Sequence, residues 1–324
     1  MTITPIENDD QWHKLRSQTI GGSEVGIVLG CSPYGTLNEL FHVKRGNFQP
    51  SFEGNKLMQW GQAFEPVIAT LISGDMYWDL QQCRDYHQHP EHPHLGATLD
   101  YYVIESEHGP GILEIKNVST FSPDWGQNRA PAHVELQVQH QFLVVNAARR
   151  AAGLDTFKWG AIGSLHSGNP EDVRIMYRKP DPKVHQHIID KCGAFWTDVQ
   201  ANNEPDLIAG HKELDHIVEM YKQAEPAPEV ELEDHRGDAI LDDLIMQHEQ
   251  AKYEASEAKR KQENFKAKIL HHLMAIDQEG VTRRMAARTD NYGVETKLID
   301  VYRKPQPAKQ TQQLRFTIRE AEAM

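Results

Sequence analysis

The chain has 324 residues, 39% hydrophobic and 25% charged, enough for one large domain with an appendage or for two domains. No apolar run approaches the roughly 20 residues of a membrane span, and MTITPIENDDQWHKL lacks a basic-then-apolar signal pattern. The expectation is therefore cytoplasmic residence with no membrane partner. The 3 cysteines, Cys31, Cys83 and Cys192, have no close pairing, which argues against a disulfide framework and against Cys-held zinc or iron–sulfur. A formal net charge of −13 weighs against attraction of nucleic acid by the whole surface, though not against a local basic channel. From Val281 onward nine Lys and Arg stand against five Asp and Glu, a basic tail on an acidic chain.

From about Asp9 to Gly46 the pattern reads as short helices. Thr36-Leu37-Asn38-Glu39 is a capping box opening a helix that stops at Gly46. Before it, Thr19-Ile20-Gly21-Gly22-Ser23-Glu24 leads into VGIVLG. Ser23 sits near a helix start, where free N–H groups serve either as an ordinary cap or as an anion site. Lys56 to Ser73 predicts a strong helix with Leu57, Phe64, Ile68 and Leu71 as its stripe. Glu65 lies beside that stripe, and Pro66 marks a helix start or a kink. His87, His89, His92 and His94 alternate with Pro90 and Pro93, a spacing that suits a loop better than a zinc site.

Leu95 to Asn117 predicts a hairpin. Asp100 ends one extended run, Gly109-Pro110-Gly111 turns the chain, and Glu114 and Lys116 follow two apart on one face of the next strand. Pro131 to Asn146 predicts a helix in which Leu136, Gln139 and Leu143 share a face. Gln139 is thus either a structural cap or a ligand for a water or substrate oxygen. Thr156–Leu165 and Asp172–Arg178 read as strands and Val184–Val199 as a helix. Composition shifts near Asn202–Pro205. Beyond it lie Asp206–Ala224, an acidic Pro-broken link, a charged helix from about Arg236 to Ile276 with near-coiled-coil spacing, and short strands around Val281–Arg288, Tyr292–Val301 and Leu314–Ile318.

Glu65, Asp100, Glu114 and Lys116 are hard oxygen donors beside an amine, the equipment of metal-assisted phosphodiester hydrolysis. No G-x-S-x-G, H-E-x-x-H or Walker loop supports the commoner alternatives. An acid…E-x-K pattern alone also fits a surface hairpin with alternating charges.

The order Asp100…Glu114-Ile115-Lys116 resembles the PD-(D/E)XK nuclease core. The stretch from about Arg16 to Trp196 resembles the YqaJ-type viral recombinases, the family of the phage lambda exonuclease, through IGGSEVGIVLGCSPYGT, WGQAFEP, GILEIKN and ELQVQHQFLV. Leu99 stands where that motif often has proline, and Tyr101 where glycine is common. The resemblance implies an α/β, restriction-endonuclease-like core over 1–204, a small mixed sheet flanked by helices. A helical-hairpin plus short-strand module would follow over 205–324. It implies a Mg²⁺-dependent enzyme, with Mn²⁺ able to substitute, that degrades linear double-stranded DNA 5′→3′ and leaves 3′ overhangs for phage-type recombination. Asp100, Glu114 and the Ile115 carbonyl would ligate metal, and Glu65 would do so directly or through water. Lys116 would act on the attacking water, and Gln139 would support it or the scissile phosphate. Arg16 and Ser23 would hold the 5′-phosphate. The implied assembly is a homotrimer working with a single-strand annealing protein in a bacterial host. Rival readings are a PD-(D/E)XK endonuclease of other structural specificity and a non-catalytic DNA-end scaffold.

Overall fold

The computed structural model describes residues 2–48, 56–119, 122–207, 211–223, 238–276, 284–288 and 293–297. In chain order the first unit contains β1 (Ile3–Pro5), α1 (Asp9–Ser17), α2 (Gly22–Val28), α3 (Leu37–Arg45) and α4 (Lys56–Met76). Then come β2 (Asp79–Gln82), β3 (Asp85–Gln88), β4 (Gly96–Ala97), β5 (Tyr101–Glu105), β6 (Gly111–Val118) and α5 (Ala132–Ala151). It closes with β7 (Gly160–His166), β8 (Val173–Arg178), α6 (Pro182–Ala201) and α7 (His211–Gln223).

Local chemistry sets several boundaries. The Thr36 side chain accepts the Glu39 N–H at the start of α3, and Gly46 ends it at φ 75°, the left-handed conformation glycine adopts without strain. Pro66 lies inside α4, neither at its start nor at an end. It removes one helix donor, and the helix persists because Ile68 and Ile72 are fully buried.

Five strands form a mixed sheet in the order β2-β5-β6-β7-β8. Only the β6–β7 pair is parallel, and the crossover such a pair needs is α5. The alternation of β6 divides the core in two. Ile112 joins Val134, Val138 and Phe142 of α5 on one face. Leu113 and Ile115 join Ile68 and Ile72 of α4 on the other. A Cβ at Gly163 of β7 would collide with Ile72, so that glycine lets α4 approach the sheet. The bulky residues flanking Asp100 are accounted for here: Leu99 is buried in the α5-side core and Tyr101 in the α4-side core. The sheet sandwiched between helices is the predicted small mixed α/β core.

A second sheet, β1-β3-β4, carries the histidine-rich segment. His87 is buried, its Nε2 3.1 Å from the Tyr102 hydroxyl. His89 Nδ1 accepts the N–H groups of Glu91 and His92 and so closes a turn.

The compact units run Met1–Gln223 and Ala224–Met324, so the division falls after the predicted 204/205 boundary. The reason is polar. Thr36 donates to Glu213 of α7 at 3.1 Å, and Asn38 donates to Glu204 at 2.9 Å, tying the post-α6 segment to α3. In the second unit the described elements are α8 (Ala239–Ile276) and an antiparallel pair, β9 (Arg284–Arg288) with β10 (Gly293–Lys297). Over 205–324 the described helices are α7 and α8. The predicted strand at Leu314–Ile318 lies outside the described residues. Among the described residues no helix is long and apolar enough to cross a membrane.

Burial holds His87 down to about 4 and His140 of α5 to about 3. Both are therefore neutral when folded and protonate near 6.5 when unfolded. A depressed folded value means that stability is intact above pH 6.5 and is lost as pH falls toward 4 and 3. Each imidazole is expected to cost about 2 kcal/mol of unfolding free energy by pH 5. Urea midpoints measured from pH 7 to 5 check this. His140 has no hydrogen-bond partner among the described residues, so His140→Leu should flatten the fall without lowering stability at pH 7.

Candidate active site

The β5–β6 register builds the site. Tyr101 pairs with Leu113, so Asp100, just before β5, stands across from Glu114. Asp100 Oδ2 accepts the Ile115 N–H at 2.7 Å, which fixes the carboxylate against the next strand. Asp100 therefore opens β5 and does not end a preceding strand. Glu114 and Lys116 share the α5 face of β6, with Lys116 Nζ 2.5 Å from Glu114 Oε1.

Glu114 is only 2% exposed, and every neighbour that reaches it donates. Gln137 Nε2 donates to Oε1 at 2.6 Å and Gln141 Nε2 to Oε2 at 2.6 Å. Gln141 also donates to the Thr98 carbonyl at 3.2 Å. A buried carboxylate without such donors would be strongly unfavourable.

Glu65, on α4, belongs to the same electrostatic group. Burial raises its pKa, the Glu114 charge raises it further, and Lys116 opposes both. Asp100 is pushed well above the usual carboxylate range by burial, then by Glu114 and Glu65, against Lys116 and the Ile115 N–H. Burial pushes the Lys116 ammonium down, but Glu114, Asp100 and Glu65 outweigh it and hold the pKa above its ordinary value. Three carboxylates with one ammonium leave excess negative charge in a poorly solvated place. That donor set suits a hard divalent cation. Among the described residues no three Asp, Glu, His or Cys side chains already stand in ligating arrangement. Here Lys116 and the two glutamines occupy the Glu114 oxygens.

A cleft beside this group is lined by Arg16, Gly21, Gly22, Ser23, Gln137 and Gln141. The predicted pair Arg16 and Ser23 meet there, with Arg16 Nη2 3.3 Å from Ser23 Oγ. Lys44 and Glu24 support them. The Lys44 side chain is 1% exposed. Its Nζ donates to the Arg16 carbonyl at 2.8 Å and to Glu24 Oε1 at 2.9 Å. Glu24 Oε2 accepts the Gly21 N–H at 2.7 Å, and the Arg16 guanidinium lies 3.6 Å from Oε1. Burial alone would raise the Glu24 pKa, but Lys44 and then Arg16 bring it below the usual value.

Glu65, Asp100, Glu114 and Lys116 come together, Ile115 lies between the last two, and Arg16 and Ser23 adjoin them. Gln139 does not join. Its Nε2 donates to the Lys179 carbonyl at 2.9 Å, and its Oε1 accepts the Asp181 N–H at 2.9 Å. It bridges α5 to the start of α6. α5 is buried both against the sheet and against α2 and α6, and Gln139 lies on the α6 side. The amides at the site are Gln137 and Gln141, which sequence reasoning missed. Their i, i+4 spacing, in phase with Val134 and Val138, was the available signal.

The arrangement defines an α/β domain whose central hairpin carries an acid–lysine group next to an anion-suited cleft. Residues 11–148 match the model of the YqaJ-like viral recombinase domain. The chain is 23% identical over 320 residues to the uncharacterized protein YqaJ of Bacillus subtilis, spanning 96% of this chain and 94% of that protein. It is 30% identical over 69 residues, 21% of this chain and 20% of the other, to protein D345L of African swine fever virus. Among solved structures it resembles LHK-Exo of Laribacter hongkongensis, described as an alkaline exonuclease, with 19% identity and a TM-score of 0.46 over 60% of this chain and 94% of that one.

The buried Lys44–Glu24 pair yields a stability prediction. Lys44→Met strands Glu24 and should cost about 3–5 kcal/mol in chemical denaturation. Adding Glu24→Gln should recover most of that loss.

Proposed function

We propose that the chain is a divalent-metal-dependent deoxyribonuclease that digests linear duplex DNA from the 5′ end and leaves 3′ single strands for recombination. The carrying observation is α5. Its Gln137 and Gln141 line the Arg16–Ser23 cleft and also grip Glu114. A terminal phosphate in that cleft would put the next phosphodiester near the acid–lysine group.

Asp100, Glu114 and the Ile115 carbonyl would hold Mg²⁺ or Mn²⁺, with Glu65 joining directly or through water. The cation would supply Lewis acidity at the phosphoryl oxygen and an activated water. Arg16 and Ser23 would bind the 5′-phosphate by a charge-assisted contact and a hydroxyl hydrogen bond. Lys116, held cationic by its carboxylates, would orient the attacking water and offset charge developing on the phosphoryl oxygens. Water would attack phosphorus, and the P–O3′ bond to the terminal nucleotide would break. The nucleotide leaves with a 3′-hydroxyl, and the shortened strand carries a fresh 5′-phosphate. Each cycle thus regenerates the group the cleft recognises.

The same reading includes a homotrimeric ring and a single-strand annealing partner. A ring lets an acidic chain hold DNA, because basic groups need only line its channel.

The test is digestion of 5′-phosphorylated linear duplex and of closed circles with Mg²⁺, by wild type and Lys116→Ala. The expected result is digestion of the linear form alone, abolished by EDTA and reduced about 10²–10⁴-fold in Lys116→Ala. Equal digestion by both proteins places the site elsewhere. Cutting of circles makes the enzyme an endonuclease. End binding without digestion in Mg²⁺ or Mn²⁺ makes it a scaffold.

A further inference from the structure

Gln141 is 2% exposed, and its single amide nitrogen reaches both segments that carry the acid group. One contact is to Glu114 Oε2 on β6, and the other is to the carbonyl of Thr98, two residues before Asp100. We propose that Gln141 is a positioning residue that sets the orientation of the Glu114 carboxylate, and its spacing from Asp100, for a divalent cation. This rests on the metal-dependent reading above.

Three physical points carry it. First, the contact pattern: Gln137 shares Oε1 with the Lys116 ammonium, whereas Gln141 is the donor observed on Oε2. Oε2 therefore meets one donor where Oε1 meets two, and keeps a lone pair for a further ligand. Second, the donor is neutral. A lysine or arginine at position 141 would hold Glu114 equally well but would cancel the charge a cation needs. An amide orients without neutralising, at any pH. Third, the fold gains nothing from the other end of the amide. Gln141 Oε1 is buried with no hydrogen-bond partner among the described residues, a cost that an apolar side chain would avoid. Flipping the amide would turn that oxygen toward Glu114 and replace a donor with a repulsive contact. A buried amide satisfied at one end only, with that end on the acid group, is explained by the group it holds.

The test is Mn²⁺ binding to the full chain without DNA, followed by titration calorimetry. Gln141→Leu and Gln141→Met remove the donor at similar volume. Gln139→Leu, on the same helix, disturbs the link between α5 and α6 instead. Both Gln141 variants should bind Mn²⁺ about 10–100-fold more weakly than wild type. The Mg²⁺ concentration for half-maximal digestion should rise in step. Gln139→Leu should keep wild-type Mn²⁺ affinity.

Wild-type Mn²⁺ affinity in either folded Gln141 variant overturns the proposal. So does an equal loss in Gln139→Leu, which would mark general loosening of α5. Loss of cooperative unfolding in both Gln141 variants also overturns it, since Gln141 would then serve the fold. If wild type itself binds no Mn²⁺, the metal-dependent reading fails first and takes this one with it.

Discussion

The site depends on holding the Glu114 carboxylate almost entirely out of water. It points to the α5 side of a sheet whose neighbouring positions on that face, Ile112 and Ile162, are core. Such a charge persists only if each oxygen is met by donors. One ammonium and two amides do this, and they come from two elements, β6 and α5. The helix between the parallel strands therefore has a second duty besides crossing over. Its sheet-facing side is apolar at Val134 and Val138, polar at Gln137 and Gln141, and apolar again at Val145. The polar pair stands where the carboxylate is.

That arrangement leaves charge uncompensated. Asp100 has one backbone donor, and Glu65 feels Glu114 more strongly than it feels Lys116. A purely structural polar cluster would be expected to balance its charges, since imbalance under burial works against the fold. The surplus is intelligible if a cation completes the group, and this ties the fold's least favourable feature to the proposed chemistry.

The hairpin with its Glu114–Lys116 face was legible because it is local, whereas Glu65 and the Arg16–Ser23 pair came with the family resemblance. Two residues apart on a strand share a face, a capping threonine announces its helix, and the motif order supplied the rest. The face that Gln139 occupies was not legible, for a definite reason. Val134, Val138, His140, Phe142, Leu143 and Val144 are all buried, so α5 has no single apolar stripe whose phase can be read. On a helix covered on both sides, i, i+3, i+7 counting picks a buried face but not which one. Lys44 and Glu24 escaped notice because a lysine and a glutamate 20 residues apart carry no periodic signal. The unit boundary shifted for a similar reason. The contacts of Glu204 and Glu213 with α3 span more than 160 residues, and composition alone marks only where the chain changes character.

Lys44 and Glu24 also account for how an acidic chain can present a cation to an anion. Glu24 sits beside the cleft, where a carboxylate should repel phosphate. Yet its oxygens are already committed to Lys44 and to the Gly21 N–H at 2.7–2.9 Å. Arg16 is the loosely held member of the group, 3.6 Å from Glu24 with a side chain 32% exposed. Its aliphatic and aromatic support comes from Trp12, whose ring centroid lies 4.6 Å from the guanidinium carbon. The buried pair is internally neutral, so the Lys44–Glu24–Arg16 trio carries one positive charge, and that charge sits on the side chain lining the cleft. The sign of the whole surface is then a poor guide to the charge that Arg16 presents to the cleft. A short-range arrangement of one buried ion pair and one half-exposed arginine decides it, since screening removes most of the contribution from charges more than about 10 Å away.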